Sequence, residues 1–210
     1  MLLPRTCPLC GRAGTAPCAG CAADLVRAPA LPPPPGVDLC VALLAYEDAG
    51  RELIARLKYR NARSALRWLV VSMAALVRSL PVDAVTWVPT TRVRRRTRGF
   101  DQAHLLARGV ARELHVPCRG LLERAHGPPQ TGRSGSDRRI GPVLAARVAR
   151  TPRHVLLVDD VITTGTTVSV AARALRAAGA DRVSVLAGAR TPLKRLQMRS
   201  DTQSNDAGLR

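Results

Sequence analysis

Apolar residues follow two different periods along this chain, and the two periods alternate. Short apolar runs predict strands over residues 39–46, 84–88, 154–158 and 182–189. Apolar residues spaced three and four apart predict helices over residues 49–59, 66–77, 103–114 and 166–179. Because strands that alternate with helices favour parallel pairing, the pattern predicts an α/β fold built on a mostly parallel sheet.

Proline and glycine divide the chain into four parts. Residues 29–36, PALPPPPG, cannot form a helix or a central strand and predict a stiff linker. Inside the domain that follows, His126–Gly141 is rich in Gly, Pro, Ser and Arg, and a loop of this length is typical of a functional lid. We expect a cysteine-containing unit at 1–28, a linker at 29–37, the α/β domain at 38–190 and a disordered polar tail at 191–210.

Basic residues dominate the charge of the chain. It carries 33 Lys and Arg against 15 Asp and Glu, a formal net charge of +18. Such an excess favours polyanionic partners, which are nucleic acids, phosphorylated metabolites or anionic surfaces. Nearly all these residues are Arg, and the coding bias of a GC-rich genome is an alternative source of part of the charge.

No segment predicts a membrane span or a secretory signal. The longest hydrophobic stretch, at 66–77, is interrupted by Arg67 and is too short to cross a bilayer. The N-terminal residues lack the apolar run of a signal peptide. We therefore expect a soluble cytoplasmic protein.

Four of the six cysteines form two Cys-x-x-Cys pairs, Cys7 with Cys10 and Cys18 with Cys21. Two such turns present four thiolates to one metal ion, which is typical of zinc sites. Disulfides and redox pairs are the alternatives, and a reducing compartment disfavours them. Because four thiolates leave no open coordination position, we predict a structural Zn²⁺ rather than a catalytic one.

The segment 155–167, VLLVDDVITTGTT, places two adjacent carboxylates at the end of a predicted strand. Val155–Val158 lack polar alternation, as expected of a strand that is covered on both faces. Ligands of parallel sheets bind beyond the carboxyl ends of the strands, where Asp159 and Asp160 fall. Carboxylates accept hydrogen bonds from vicinal hydroxyls, so this pair is suited to a sugar.

The hydroxyl-rich loop after the two aspartates predicts a phosphate site. Its residues are Thr163, Thr164, Gly165, Thr166 and Thr167. Hydroxyls and backbone N–H groups at the beginning of a helix bind anions, and glycine lets the backbone approach closely. A structural turn with a capping aspartate and solvated threonines is the alternative. The complete order of strand, two acids, loop and helix favours a ribose that carries a 5′-phosphate.

This segment resembles the phosphoribosyl pyrophosphate signature of type I phosphoribosyltransferases. The resemblance implies that Asp159 and Asp160 hold the ribose hydroxyls, that loop 163–167 receives the 5′-phosphate, and that one Mg²⁺ bridges pyrophosphate and ribose. Together with CPLCG…CAGC, YEDAGRELIARLKYR, VPTTRVRRRTRGFDQA and PPQTGRSGSDRR, the segment resembles the ComF family. These are phosphoribosyltransferase-like proteins with an N-terminal cysteine knuckle that are associated with DNA uptake.

The resemblance extends to about residue 190, with two departures from the family pattern. Asp101 stands where the family usually has Asn, in RGFDQA. The lid arginine is followed by RIG, where the family tends to carry an Asn shortly after it. The phosphate signature itself shows no departure.

Two arginine-containing segments complete the predicted site. In a phosphoribosyltransferase-like protein the pyrophosphate lies at the loop after WVP, where guanidinium groups match its oxygens. That loop contains Arg92, Arg94, Arg95, Arg96 and Arg98. The same side chains are suited to the phosphates of single-stranded DNA, and a solvated basic loop is a third alternative. The lid offers Arg124, Gln130, Arg133 and Arg138 as candidate contacts.

These features leave two classes of function. In one, the protein transfers a phosphoribosyl group to an unassigned acceptor in nucleotide salvage, or senses phosphoribosyl pyrophosphate as a regulator. In the other, phosphoribosyl pyrophosphate binding serves natural transformation or DNA utilisation. The cysteine knuckle and the arginine loop then contact single-stranded DNA and the DNA-uptake machinery. Charge and family association favour the second class, although aromatic residues, at 2% of the chain, offer few stacking platforms.

Overall fold

The secondary structure follows the order that the apolar pattern predicts. The computed structural model describes residues 6–59, 63–91, 96–97, 99–124 and 143–192. Its elements are α1 (Ala19–Ala23), β1 (Leu39–Ala45), α2 (Asp48–Tyr59), a 3-10 turn (Arg63–Ala65), α3 (Leu66–Ala75), β2 (Ala84–Trp87), α4 (Gln102–Leu114), β3 (Leu122–Arg124), β4 (Leu144–Ala146), β5 (His154–Ile162), α5 (Thr166–Ala177) and β6 (Arg182–Arg190). None of the described helices has the length and hydrophobicity that crossing a bilayer requires.

Four of these strands pair in parallel, in the order β1-β6-β5-β2. The central pair is in register from His154 opposite Arg182 to Ile162 opposite Arg190. The parallel arrangement confirms the predicted fold class. Because parallel strands all end on the same side, the carboxyl ends of β1, β2 and β5 lie at one edge of the sheet.

The two faces of the sheet pack against different elements. On one face, Val85, Leu156 and Leu186 belong to a cluster with α2, α3 and α4. On the other, Leu157 and Val185 pack with α5 and with the antiparallel pair β3–β4. Successive strand residues point to opposite faces, so a strand that is covered on both sides is apolar at every position. This double cover explains the unbroken apolar run from Val155 to Val158.

The structure differs from the sequence prediction at two places. Strand β5 continues four residues past its predicted end, so Asp159 and Asp160 belong to the strand. Pairing with β6 extends the strand there, although the side chains of Asp159 and Asp160 are polar. The strands β3 and β4 were not predicted, because three residues are too few to show a period. They flank the predicted lid, and His126–Gly141 itself lies outside the described residues.

Residues 26–28 connect the N-terminal unit to the edge of the sheet. The Ala28 backbone N–H donates to the carbonyl oxygen of Leu43 at 3.1 Å, and the Ala45 N–H donates to that of Val26 at 2.9 Å. Arg56 of α2 donates to the carbonyl oxygen of Pro8. The boundaries at residues 28 and 37 remain predictions, as does the disordered tail, of which residues 193–210 lie outside the described range.

Candidate functional site

A cleft of about 330 Å³ opens at the carboxyl edge of the sheet. It lies where β1, β2 and β5 end and where α4 begins, as expected for ligand sites of parallel sheets. The described residues that line it are Tyr46, Val88, Pro89, Thr90, Asp101, Gln102, Ala103, Arg124, Asp159, Asp160, Val161, Thr163 and Thr167. Three of these side chains are carboxylates and one is a guanidinium. An anion in this cleft therefore needs additional positive charge close by.

The two adjacent aspartates lie on one wall of the cleft, and both are partly buried. Asp159 is paired in register with Ala187 of β6, and its Oδ1 accepts a hydrogen bond from the Asp160 backbone N–H at 2.8 Å. On β6, a Cβ added at Gly188 would lie 3.0 Å from the Asp160 carbonyl oxygen. The absence of a side chain there lets β6 approach β5 closely, which fixes the backbone that carries both carboxylates.

Loop 163–167 forms a smaller cavity of about 30 Å³ next to the cleft. Gly165 precedes α5 with φ of +79°, a left-handed conformation that favours glycine. The hydroxyl of Thr164 lies 2.9 Å from that of Thr166, and it accepts from the Thr166 backbone N–H at 3.4 Å. Asp159 and Thr163 line both cavities, so the loop cavity continues the cleft toward the beginning of α5.

Asp101 connects the opposite wall of the cleft to α4. Its Oδ1 accepts from the His104 backbone N–H at 3.3 Å and caps the helix. Its Oδ2 accepts from the Thr90 backbone N–H at 3.1 Å, beyond the end of β2. A carboxylate satisfies both donors, whereas an asparagine would turn its NH₂ group toward one of them. The departure from the family pattern thus has a local explanation.

Arg124 at the end of β3 brings a positive charge to the same wall. Its Nε donates to the carbonyl oxygen of Pro89 at 2.8 Å, and the side chain lines the cleft. On α4, the His104 ring stacks on Trp87 with 4.2 Å between ring centroids. These contacts hold the segment after β2 between β3 and α4.

The cleft brings together only some of the predicted site residues. Asp159, Asp160, Thr163, Thr167 and Arg124 line it, and loop 163–167 lines the adjoining cavity. Arg96 is exposed and is not among the described lining residues. The remaining arginines and the other lid residues lie outside the described part of the chain: Arg92, Arg94, Arg95, Arg98, Gln130, Arg133 and Arg138.

Besides Asp101, three lining residues with polar side chains were not predicted as site residues from the sequence. Tyr46 follows β1, Thr90 follows β2, and Gln102 is the first residue of α4. These three residues share their position, because each lies beyond the end of a strand or at the beginning of a helix, on the same edge of the sheet. The sequence predicts where each strand ends, but the strand order is needed to show that these ends lie next to one another.

The four cysteines of the N-terminal unit form a second candidate site. Their sulfur atoms all lie within 4.8 Å of one another, and the Cys10 and Cys18 sulfurs are 3.6 Å apart. Four sulfurs around a tetrahedral Zn²⁺ at about 2.3 Å would lie about 3.8 Å apart. The cluster therefore has the spacing to hold a metal such as zinc, and each of its cysteines is a free thiol.

The thiols of this cluster differ in acidity. Burial raises the pKa of Cys7, but hydrogen bonds from the backbone N–H groups of Cys10, Cys18 and Leu9 outweigh it and lower that pKa to about 6. Hydrogen bonds with the Cys10 and Cys18 sulfurs raise the pKa of Cys21 to about 12. Four thiolates in one cluster would repel one another, and a divalent metal ion held there would supply the compensating positive charge.

Comparison with known proteins gives consistent matches. Residues 101–202 match the phosphoribosyl transferase domain family. The chain is 32% identical to competence protein F of Haemophilus influenzae over 72% of this chain and 72% of that protein. It is 30% identical to the DNA utilization protein YhgH of Escherichia coli O6:H1 over 88% of this chain and 84% of that protein.

A weaker match reaches the competence protein ComFC of Bacillus subtilis, with 27% identity over 62% of this chain and 55% of that protein. The chain belongs to the ComF family, with a phosphoribosyltransferase domain that follows an N-terminal four-cysteine unit.

Proposed function

We propose that this protein binds phosphoribosyl pyrophosphate with Mg²⁺ in the cleft and acts in DNA uptake or DNA utilisation. One observation carries the proposal: Asp159, Asp160 and loop 163–167 line a continuous space at the carboxyl edge of the sheet. The carboxylate pair is suited to sugar hydroxyls, and the hydroxyl-rich loop at the beginning of α5 is suited to a phosphate joined to that sugar. The names of the relatives supply the biological context.

The ribose end of the ligand fits the two aspartates. Asp159 already accepts from the Asp160 backbone N–H, which orients its carboxylate along the wall. The sugar hydroxyls donate to both carboxylates, and the 5′-phosphate enters the cavity at loop 163–167. Backbone N–H groups and threonine hydroxyls there donate to the phosphate oxygens, and the positive end of α5 adds to the attraction.

The pyrophosphate end fits the opposite wall, at Val88–Thr90 and Arg124. Because the described lining carries three carboxylates and one guanidinium, the charge of pyrophosphate needs compensation from elsewhere. Mg²⁺ supplies part of it. This ion prefers one or two carboxylates together with ligand phosphates and water, a donor set that Asp159 and Asp160 fit. The arginines at 92–98 supply the rest in this proposal.

Calorimetry with phosphoribosyl pyrophosphate tests the binding site directly. We expect Mg²⁺-dependent binding, and saturation should raise the thermal midpoint by about 5 °C. Ligand without Mg²⁺ serves as the control and should bind more weakly. A protein that gives neither heat nor a thermal shift would refute the proposed ligand. Pyrophosphate release on addition of nucleobases would assign phosphoribosyl transfer, and its absence would favour a binding or sensing role.

A groove beside the cysteine unit supports contact with single-stranded DNA. It has a volume of about 560 Å³ and lies between residues 14–17 and α3, with Trp68 and Val71 among its lining residues. Val71 is 39% exposed and Trp68 is partly buried. Among the described lining residues, Arg67 is charged and none is acidic. An aromatic ring beside an arginine is suited to an unstacked base with its phosphate.

Replacing Trp68 by Ala should lower the affinity for single-stranded oligothymidylate about tenfold, because base stacking is lost. Trp68→Phe keeps an aromatic ring and should lose much less. Arg67→Gln should reduce the slope of log affinity against log salt by about 0.7. Fluorescence anisotropy at several salt concentrations measures both effects. If the wild-type protein does not bind DNA at low salt, or if Trp68→Ala binds equally well, this role fails.

A further inference from the structure

The proline-rich segment forms part of the phosphate site rather than a detached spacer. Pro34 is buried, and it packs against Gly165 at the beginning of α5. A Cβ at Gly165 would lie 2.7 Å from Cγ of Pro34 and 3.0 Å from its Cβ. Pro34 thus closes the back of loop 163–167 on the side that the missing glycine side chain leaves open.

Two arginines hold this segment from the domain side. Arg190, the last residue of β6, donates from Nη2 to the carbonyl oxygen of Pro32 at 2.8 Å and from Nη1 to that of Leu31 at 3.2 Å. Arg176 of α5 donates from Nε to the carbonyl oxygen of Gly36 at 3.1 Å. Prolines have no backbone N–H, so their carbonyl oxygens are the groups that a donor can hold.

Arg190 is unusual for a charged residue, because it is only 9% exposed. Within the described part of the chain, its recorded acceptors are the two carbonyl oxygens and, at 3.6 Å, Cys40 Sγ, with no carboxylate in ion-pair distance. Burying a guanidinium against neutral acceptors is costly. The residue also pairs in register with Ile162, directly before loop 163–167. A buried cation at this place raises the electrostatic potential where an anion is expected.

We propose that Arg190 is a positioning residue for the phosphate loop. It holds residues 31 and 32, this seats Pro34 against Gly165, and its charge favours an anion at the loop. The inference rests on the proposed function, since it names the residue that prepares the 5′-phosphate end of the same site. Pyrophosphate should be unaffected, because it binds at the opposite wall.

Three variants test this role, with ribose 5-phosphate and pyrophosphate as separate calorimetric probes in the presence of Mg²⁺. Arg190→Met should weaken ribose 5-phosphate about tenfold and leave pyrophosphate within about twofold. Arg190→Lys keeps the charge and one donor, so it should restore part of the affinity. Pro34→Ala removes the wall alone and should also weaken ribose 5-phosphate. Arg153→Met, which removes an exposed arginine that pairs with Asp181, is the matched control.

Hydrogen exchange gives a second readout that does not depend on a ligand. In Arg190→Met, the amides of loop 163–167 should exchange faster while those of β5 residues 155–158 stay protected. If wild type fails to bind ribose 5-phosphate, the proposed function fails. If wild type binds it but all three variants bind equally well, or if both probes weaken together, the positioning role is overturned. Unchanged loop exchange would also count against it.

Discussion

Asp160→Asn is expected to lower the affinity for phosphoribosyl pyrophosphate with Mg²⁺ about 100-fold. The substitution keeps the shape of the side chain but removes a charge and one acceptor oxygen. Hydrogen bonds to a charged group contribute about 1.5–3 kcal/mol each, and 1.4 kcal/mol corresponds to a factor of ten. Asp160 is substituted rather than Asp159, because the Asp159 carboxylate accepts from the Asp160 backbone N–H and its loss would also disturb the local backbone. Calorimetry against the wild type measures the change.

Pyrophosphate and a second aspartate provide the controls for this result. Pyrophosphate without Mg²⁺ lacks both the ribose and the ion that Asp160 is proposed to hold, so its affinity should change far less than that of the complete ligand. Asp181→Asn makes the same chemical change at the opposite edge of the sheet, before β6, and should leave both affinities unchanged. The thermal midpoint of Asp160→Asn should move by less than about 2 °C, since the side chain is partly exposed. An unchanged affinity would remove Asp160 from the site.

The central sheet could be predicted from the sequence because burial on both faces leaves a strong signal. Val155–Val158 are fully buried, and no polar residue interrupts them. The aspartates after this run marked the ligand edge for the same reason, since polar residues beside such a strand need solvent or a ligand. Asp101 stands directly before an amphipathic helix, and in the structure its carboxylate accepts from the backbone N–H groups of both His104 and Thr90.

The other parts of the site depend on contacts between distant residues. Thr90 and Tyr46 carry no local signal for a ligand, and the strand order alone brings their segments together. The packing of Pro34 against Gly165 could not be predicted, because a proline-rich run has the same composition whether it crosses solvent or packs on a loop. Arg190 was hidden among 33 basic residues, since a sequence does not show which arginine is buried.

The second large effect is expected at the four-cysteine unit, where substitution of the cysteines should abolish metal binding. We infer that the ion is zinc, because four thiolates in two Cys-x-x-Cys turns are its preferred structural donors. Wild-type protein should contain about one zinc ion per chain, and Cys7→Ser with Cys10→Ser should contain none. Zinc in such sites contributes about 10–16 kcal/mol of apparent binding free energy at pH 7. The N-terminal unit should therefore unfold while the two clusters on the sheet keep the domain folded.

Elemental analysis and limited proteolysis measure the two consequences of metal loss together. Trypsin should cleave after the exposed Arg12 and Arg27 much faster in the double variant, and a chelator should produce the same pattern in wild type. Cys118→Ser is the matched control, because Cys118 lies outside the cluster and should leave zinc and proteolysis unchanged. Wild-type protein without zinc, or a double variant that keeps it, would contradict the assignment. The Ala45 amide of β1 donates to the carbonyl oxygen of Val26. Loss of zinc should therefore also speed hydrogen exchange at this amide, because residues 26–28 follow directly on the four-cysteine unit.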